Sequence, residues 1–200
     1  MPIYAIEQHI PVVDPSSYIH PTATIIGDVV IGKHCYIGPN ASLRGDFGSI
    51  KIGDYCNVQD NCVIHSFPEQ ACVLESHSHI GHAAVLHGCH IGHHALIGIN
   101  CVVMDMATIG SESIVAASSF IKSRYNCPPR SLLIGSPAKL IRTVSDEEFA
   151  WKRQGTDEYI ELTQRCLNSL REVSPLTEVE TDRPTYSSVK GHAPKTPGSQ

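Results

Sequence analysis

The stretch SHSHIGHAAVLHGCHIGHH, residues 76–94, holds seven histidines among nineteen residues. Imidazole is the commonest protein ligand for zinc, and a zinc held by three histidines with an open fourth position activates water. No single ion takes seven imidazoles. The chemistry therefore depends on which of His77, His79, His82, His87, His90, His93 and His94 share a face, and on whether His65 upstream joins them. Eight cysteines offer a second ligand class, but none lies in a CxxC pair.

The elements that must position these side chains are set by a repeat. From Ile19 an aliphatic residue returns every six positions, at Ile25, Ile31, Ile37 and Leu43, and again at Ile52, Val58 and Ile64. It continues through Leu74, Ile80 and Leu86, slips once to five, and runs on from Ile91 through Ile97, Val103, Ile109, Val115 and Ile121. A small residue commonly follows four places later, as at Ala23, Ala41, Ala84, Ala95 and Ala107. Periodicity of this length and persistence predicts a parallel β-helix, with the aliphatic residue in a continuous core and the small one at a crowded corner. Cys35, Cys56, Cys62 and Cys101 fall in the corner slot, which gives them a packing role as small hydrophobes.

Counting hexads over three faces puts anchors 25, 43, 64, 86, 103 and 121 on one face, with 44–51 and 65–73 taken as loops. The residues after those anchors are Ile26, Arg44, His65, His87, Met104 and Lys122. Coils in a parallel ladder are about 4.7–4.9 Å apart, so His65 and His87 should stack and point outward, with Arg44 one coil before. Two imidazoles at that spacing can share an ion. His82 sits two residues after Ile80, near a corner of a different face, where its own chain would struggle to close the site. A neighbouring prism in a symmetric trimer could present it. His77, His79, His90, His93 and His94 do not share the column, and neither do His9, His20, His34 and His192.

The repeat resembles that of the hexapeptide-repeat proteins, whose fold is all-β: a left-handed parallel β-helix with three hexads per triangular coil, usually trimeric. The segments LRGD (43–46), NVQDNCVIH (57–65) and IGHAAVLHGC (80–89) are similar to the γ-class carbonic anhydrase family. That resemblance implies zinc, or in some members iron, held across a homotrimer interface by His65, His87 and a neighbour's His82. It implies further that Arg44 and Asp46 form an interface ion pair and that Asn57, Gln59 and Asp60 lie close to the metal-bound water. Within the family, GPNASLRGDFG, SFPEQ and VSDEEFAWKRQGTDEY look most like the phenylacetic acid degradation and carnitine operon branch.

These expectations give a chemistry. A metal-bound water with its pKa lowered to about 7 yields a hydroxide that attacks carbon dioxide or an acyl-coenzyme A thioester. Gln59 would orient it, Asp60 would accept or relay a proton, and Glu69 is the only carboxylate in the loop after His65 before Glu75. The alternatives are a hexapeptide acyltransferase, which uses a histidine without metal, and a non-catalytic accessory protein.

Bulk properties agree with a soluble enzyme. The net charge is -5 without a basic block, which argues against nucleic acid or anionic membrane as partners. With no apolar run of eighteen and no signal-like N-terminus, a cytoplasmic protein is expected. The β-helix domain is assigned to residues 1–144, its last part, 122–144, being a connector with Pro128-Pro129. Residues 145–174 read as a helical segment opened by the capping box SDEE, broken at Gly155-Thr156, and resumed from Asp157 to Val173. The second helix should bury Tyr159, Leu162, Cys166, Leu170 and Val173, and residues 175–200, rich in Pro, Ser and Thr, read as a loose tail.

Overall fold

The computed structural model describes residues 2–184, which form a left-handed parallel β-helix followed by one α-helix. Short strands stack coil on coil along three faces. Face one runs through Tyr18–Ile19, Tyr36–Ile37, Asn57–Val58, His79–Ile80, Leu96–Ile97, Ile114–Val115 and Ser131–Gly135. Face two runs through the first halves of Thr24–Ile31 and Ser42–Ile52, then Val63–His65, Val85–His87, Val102–Val103 and Phe120–Ile121. Face three takes the second halves of the two long strands, then Ala71–Leu74, His90–Ile91 and Thr108–Ile109.

The repeat explains this packing. Ile25, Leu43, Ile64, Leu86 and Val103 are in register down face two and wholly buried. The small slot also behaves as expected: Ala23, Ala41, Ala84, Ala95, Cys35, Cys62 and Cys101 have no exposed surface, and Cys56 has 1%. All cysteines among the described residues are free thiols. One place before the small slot the chain must turn, and there the backbone is left-handed: His34, Asn40, Tyr55, Asn61, His77, Ala83, His94 and Asn100 all have φ between 54° and 62°. The coil below holds each turn. Tyr55 N donates to Lys33 O at 2.7 Å, and His77 N to Asp54 O at 2.9 Å.

Four expectations need correction. Residues 44–51 are not a loop, because Ser42–Ile52 is one extended strand that turns the corner between faces two and three. A Cβ on Gly45 would run into the carbonyl oxygen of Asp28, so glycine is what lets the two long strands approach there. Of 65–73 only the piece between His65 and Ala71 lies outside strands. The connector 122–144 contains Ser131–Gly135, which extends face one, and Ala138–Thr143, which turns back antiparallel against it.

The fourth correction concerns the C-terminal segment. A single helix, α1, spans Asp146–Ser169, capped by Ser145, whose Oγ accepts from Glu148 N at 3.2 Å while Glu148 Oε2 accepts from Ser145 N at 3.0 Å. Gly155 and Thr156 do not break it. Both are buried, and the small side chains let the helix lie close to the prism; the Thr156 hydroxyl bonds back to Lys152 O at 3.3 Å. The buried positions are Glu148, Lys152, Gly155, Thr156 and Thr163, whereas Leu170 and Val173 are exposed. The helix end thus leaves the prism earlier than an apolar pattern implies. Lys152 is the decisive contact: its ammonium reaches His77 O at 2.7 Å and His94 Nδ1 at 3.4 Å. Burial pushes its pKa down to about 7, and burial likewise lowers His77 and takes His94 down to about 3. From Leu170 to Pro184 no helix or strand occurs; the remainder of the expected tail lies outside the described residues.

Candidate metal centre

Register delivers the column that the repeat predicts. Arg44 pairs with His65, and His65 pairs with His87, on adjacent strands of face two. Their imidazoles approach with His65 Nδ1 3.1 Å from His87 Nε2. The other nitrogen of each ring faces a carboxylate: His65 Nε2 lies 3.0 Å from Asp46 Oδ1, and His87 Nδ1 is hydrogen-bonded to Asp105. The third candidate repeats the motif, with His82 Nδ1 2.6 Å from Asp60 Oδ2.

This pattern tests whether a metal fits. A histidine that ligates a metal commonly donates its second N–H to a carboxylate, which fixes the tautomer and aims the free lone pair. With the protons of His65 and His87 directed to Asp46 and Asp105, two lone pairs face each other at 3.1 Å. A cation placed there would be shared by both nitrogens; in the other tautomer, with Arg44 Nη2 donating to His65 Nε2, His65 Nδ1–H donates to His87 Nε2. Ligand nitrogens on a tetrahedral zinc at about 2.0–2.1 Å are themselves about 3.3 Å apart, so the existing separation suits a shared ion. His90 also meets a carboxylate, Glu75 at 2.7 Å, but it stands on face three away from this column, so a carboxylate partner alone does not make a ligand.

One chain does not gather all three ligands. Among the described residues, His65, His82 and His87 do not form a cluster able to hold one ion, because His82 stands on the face-one side with Asp60. Arg44 Nη1 lies 3.4 Å from Asp46 Oδ2 and its Nη2 lies 3.2 Å from His65 Nε2, all within one chain. Asp46 is therefore shared between the guanidinium and the imidazole, and orienting His65 joins its expected ion-pair role.

Asn57 and Gln59 are drawn elsewhere within the chain. Both are buried on face one, where Gln59 Nε2 donates to Asn57 Oδ1 at 2.9 Å and lies 2.7 Å from His79 Nε2. Asn57 Nδ2 is 3.2 Å from His79 Nδ1, and Tyr159 of α1 stands edge-on over that ring. This network sits immediately before Asp60 in the chain and ties together the paired strands Asn57–Val58 and His79–Ile80, after which Asp60 and His82 follow.

Three site residues escape the histidine-based reading. Asp105 lies one coil beyond His87, eighteen residues on, in VVMD, so coil counting could have found it. Phe47 packs against His65 at 5.5 Å between ring centroids, and Phe67 stands edge-on to His87 at 4.8 Å. Both phenylalanines are largely exposed, giving the histidine pair apolar flanks. A cleft of about 550 Å³ lies beside the partners of His65, with Asp46, Phe47 and Glu69 among its lining residues. No helix among the described residues is long and apolar enough to cross a membrane.

Comparison with known proteins agrees with this architecture. Residues 11–45 match the family described as bacterial transferase hexapeptide (six repeats), and residues 89–123 match the hexapeptide repeat of succinyl-transferase. Over 195 residues the chain is 49% identical to carnitine operon protein CaiE of Proteus sp. (strain LE138), covering 98% of this chain and 99% of that protein. CaiE of Escherichia coli (strain K12) is 48% identical over 195 residues, covering 98% of this chain and 100% of that protein. Among solved structures, a putative acetyltransferase from Bacillus cereus superposes with a TM-score of 0.80 at 36% identity, covering 81% of this chain and 94% of that one. A hexapeptide transferase family protein from Anaplasma phagocytophilum gives 0.79 at 34% identity, covering 82% and 96%.

Proposed function

The chain belongs to the hexapeptide-repeat family of the carnitine operon protein CaiE, and from that membership and the site geometry we propose a metal-dependent enzyme that adds water to a carbonyl carbon. The substrate class is carbon dioxide or an acyl-coenzyme A thioester. The observation that carries this reading is the approach of His65 Nδ1 and His87 Nε2 to 3.1 Å, each ring backed by a carboxylate at its other nitrogen. Zinc, or iron, bound there would supply an activated water and a Lewis acid.

The chain's own residues do the rest. His65 and His87 hold the ion from one subunit, and His82 of a second copy completes the set in a cytoplasmic homotrimer. Asp46, Asp105 and Asp60 orient the three rings. Arg44 keeps Asp46 in place, and the buried Asn57 and Gln59, held against His79, brace the strand end that carries Asp60 on the subunit that brings His82. There Asp60 can take a share of the attacking water's proton. Glu69, on the cleft beside Asp46, accepts a proton and passes it to solvent. Phe47 and Phe67 favour the thioester, because an acyl chain can pack on them whereas carbon dioxide has no use for such walls.

A second reading has its own support: the two solved relatives carry acetyltransferase and hexapeptide transferase descriptions. Under it an imidazole acts as general base without metal. A third, a CaiE-like accessory role, predicts no turnover. Metal analysis of purified protein, paired with assays against carbon dioxide and a panel of acyl-coenzyme A esters, separates the three. The proposed enzyme contains metal and loses turnover on chelation. Metal-free protein that acylates an acceptor supports the transferase, and metal-loaded protein inert in both assays supports the accessory role.

A further inference from the structure

Three histidines that take no part in the proposed site come together elsewhere on the prism. His77, His93 and His94 each place a ring nitrogen within 4.8 Å of the other two. Their ring centroids are 4.4 Å apart for His77–His94 and His93–His94, and 5.3 Å for His77–His93. The cluster lies at the corner that follows face three, one coil above another, and Phe149 and Lys152 of α1 close over His94.

Packing alone explains part of it. His34, Tyr55, His77 and His94 occupy the same left-handed turn on successive coils and stack as a ladder, at 5.2, 4.9 and 4.4 Å. The ladder accounts for His77 and His94. It does not account for His93, which stands off it, exposed, with its ring edge-on to both. Its backbone is fixed, since His93 N donates to Glu75 Oε2 at 2.8 Å. Nor does the ladder satisfy His77 Nδ1, which is buried without a hydrogen-bond partner. An orphaned buried nitrogen beside two further imidazoles is a sign of a missing ligand.

We propose that His77, His93 and His94 form a second metal site, for a divalent transition ion of the zinc class, separate from the His65/His82/His87 centre and contained within one chain. Imidazole nitrogens select zinc, copper and nickel over magnesium or calcium. The ligand atoms must close from up to 4.8 Å to about 3.3 Å, and the exposed His93 side chain can make most of that movement by rotation. Around the cluster, Lys152 and Arg153 bring positive charge while Glu75 and Asp157 bring negative charge, so the corner carries no net excess of cations. An ion here ties the turn to the coil above it, beneath α1. It gives the site a structural role on the helix-bearing side of the prism.

Full-length, untagged protein stripped with a chelator and titrated with zinc against a chromophoric competitor provides the test. The wild type should bind two ions per chain, His65→Ala/His87→Ala one, His93→Ala one, and the variant carrying all three substitutions none. His93 is exposed, so its replacement spares the fold, and circular dichroism checks this. The inference is overturned if His65→Ala/His87→Ala protein binds no zinc, or if His93→Ala removes none from it. Failure of the other centre looks different: the wild type then binds one ion, lost with His93→Ala and retained with His65→Ala/His87→Ala. A thermal melt gives an independent readout: zinc should raise the melting temperature of the His65→Ala/His87→Ala variant by several degrees and leave the three-substitution variant unmoved.

Discussion

His65 and His87 stand 3.1 Å apart through Nδ1 and Nε2, and the second nitrogen of each ring faces a carboxylate, the arrangement in which a shared cation would find two aimed lone pairs. Asp105 is as important to this arrangement as the ligands, because it fixes which nitrogen of His87 is free. Asp105→Asn keeps the shape but can present an N–H to the ring, favouring the wrong tautomer. It should weaken zinc binding at this centre by about 10–100-fold, measured by competition with a chelator, and lower turnover in step. The same residue shows where sequence reasoning stops. Repeat phase alone stacked Arg44, His65 and His87, since a hexad count fixes which strands are neighbours. It does not say which way a side chain two residues past its anchor will lean, so Asp105 and the flanks Phe47 and Phe67 went unassigned. Asn57 and Gln59 illustrate the same limit. Their addresses on face one follow from the count, but their engagement with His79 depends on a helix from a distant part of the chain.

At the scale of elements, the prism and the helix obey different rules. The coils were legible because a buried aliphatic every six residues leaves few other ways to close a core. The helix was legible at its start, where the Ser145–Glu148 box is a local signal, and misleading in the middle. Gly155-Thr156 has poor helix propensity, yet close packing on the prism outweighs that cost. Lys152 is the pin. It is 2% exposed and spans from α1 to the carbonyl of His77. Lys152→Ala removes the long side chain and leaves that carbonyl without its partner, so the loss should be about 2–4 kcal/mol, read as a lower urea midpoint. If the midpoint is unchanged, α1 does not depend on this contact. Glu148 adds a second clamp through both oxygens to Arg142, at 2.7 and 3.1 Å.

At the scale of the whole molecule, each half of the proposed centre has exposed apolar neighbours. Val63 lies on the strand that carries His65, while Ile99 precedes Asn100, whose backbone N–H donates to the carbonyl of His82 at 2.8 Å. Exposed apolar side chains on both halves are what an isologous or cyclic contact would cover, and covering them would bring His82 of one copy to the histidine pair of the next. The account therefore stands or falls on a site divided between copies. Its most direct test mixes His82→Ala and His87→Ala proteins, each inactive alone, under conditions that exchange subunits. Every mixed trimer then contains one intact site. Random reassembly at equal ratio should restore about a quarter of wild-type turnover. No recovery despite demonstrated exchange, or full activity in His82→Ala protein by itself, would contradict the intersubunit centre.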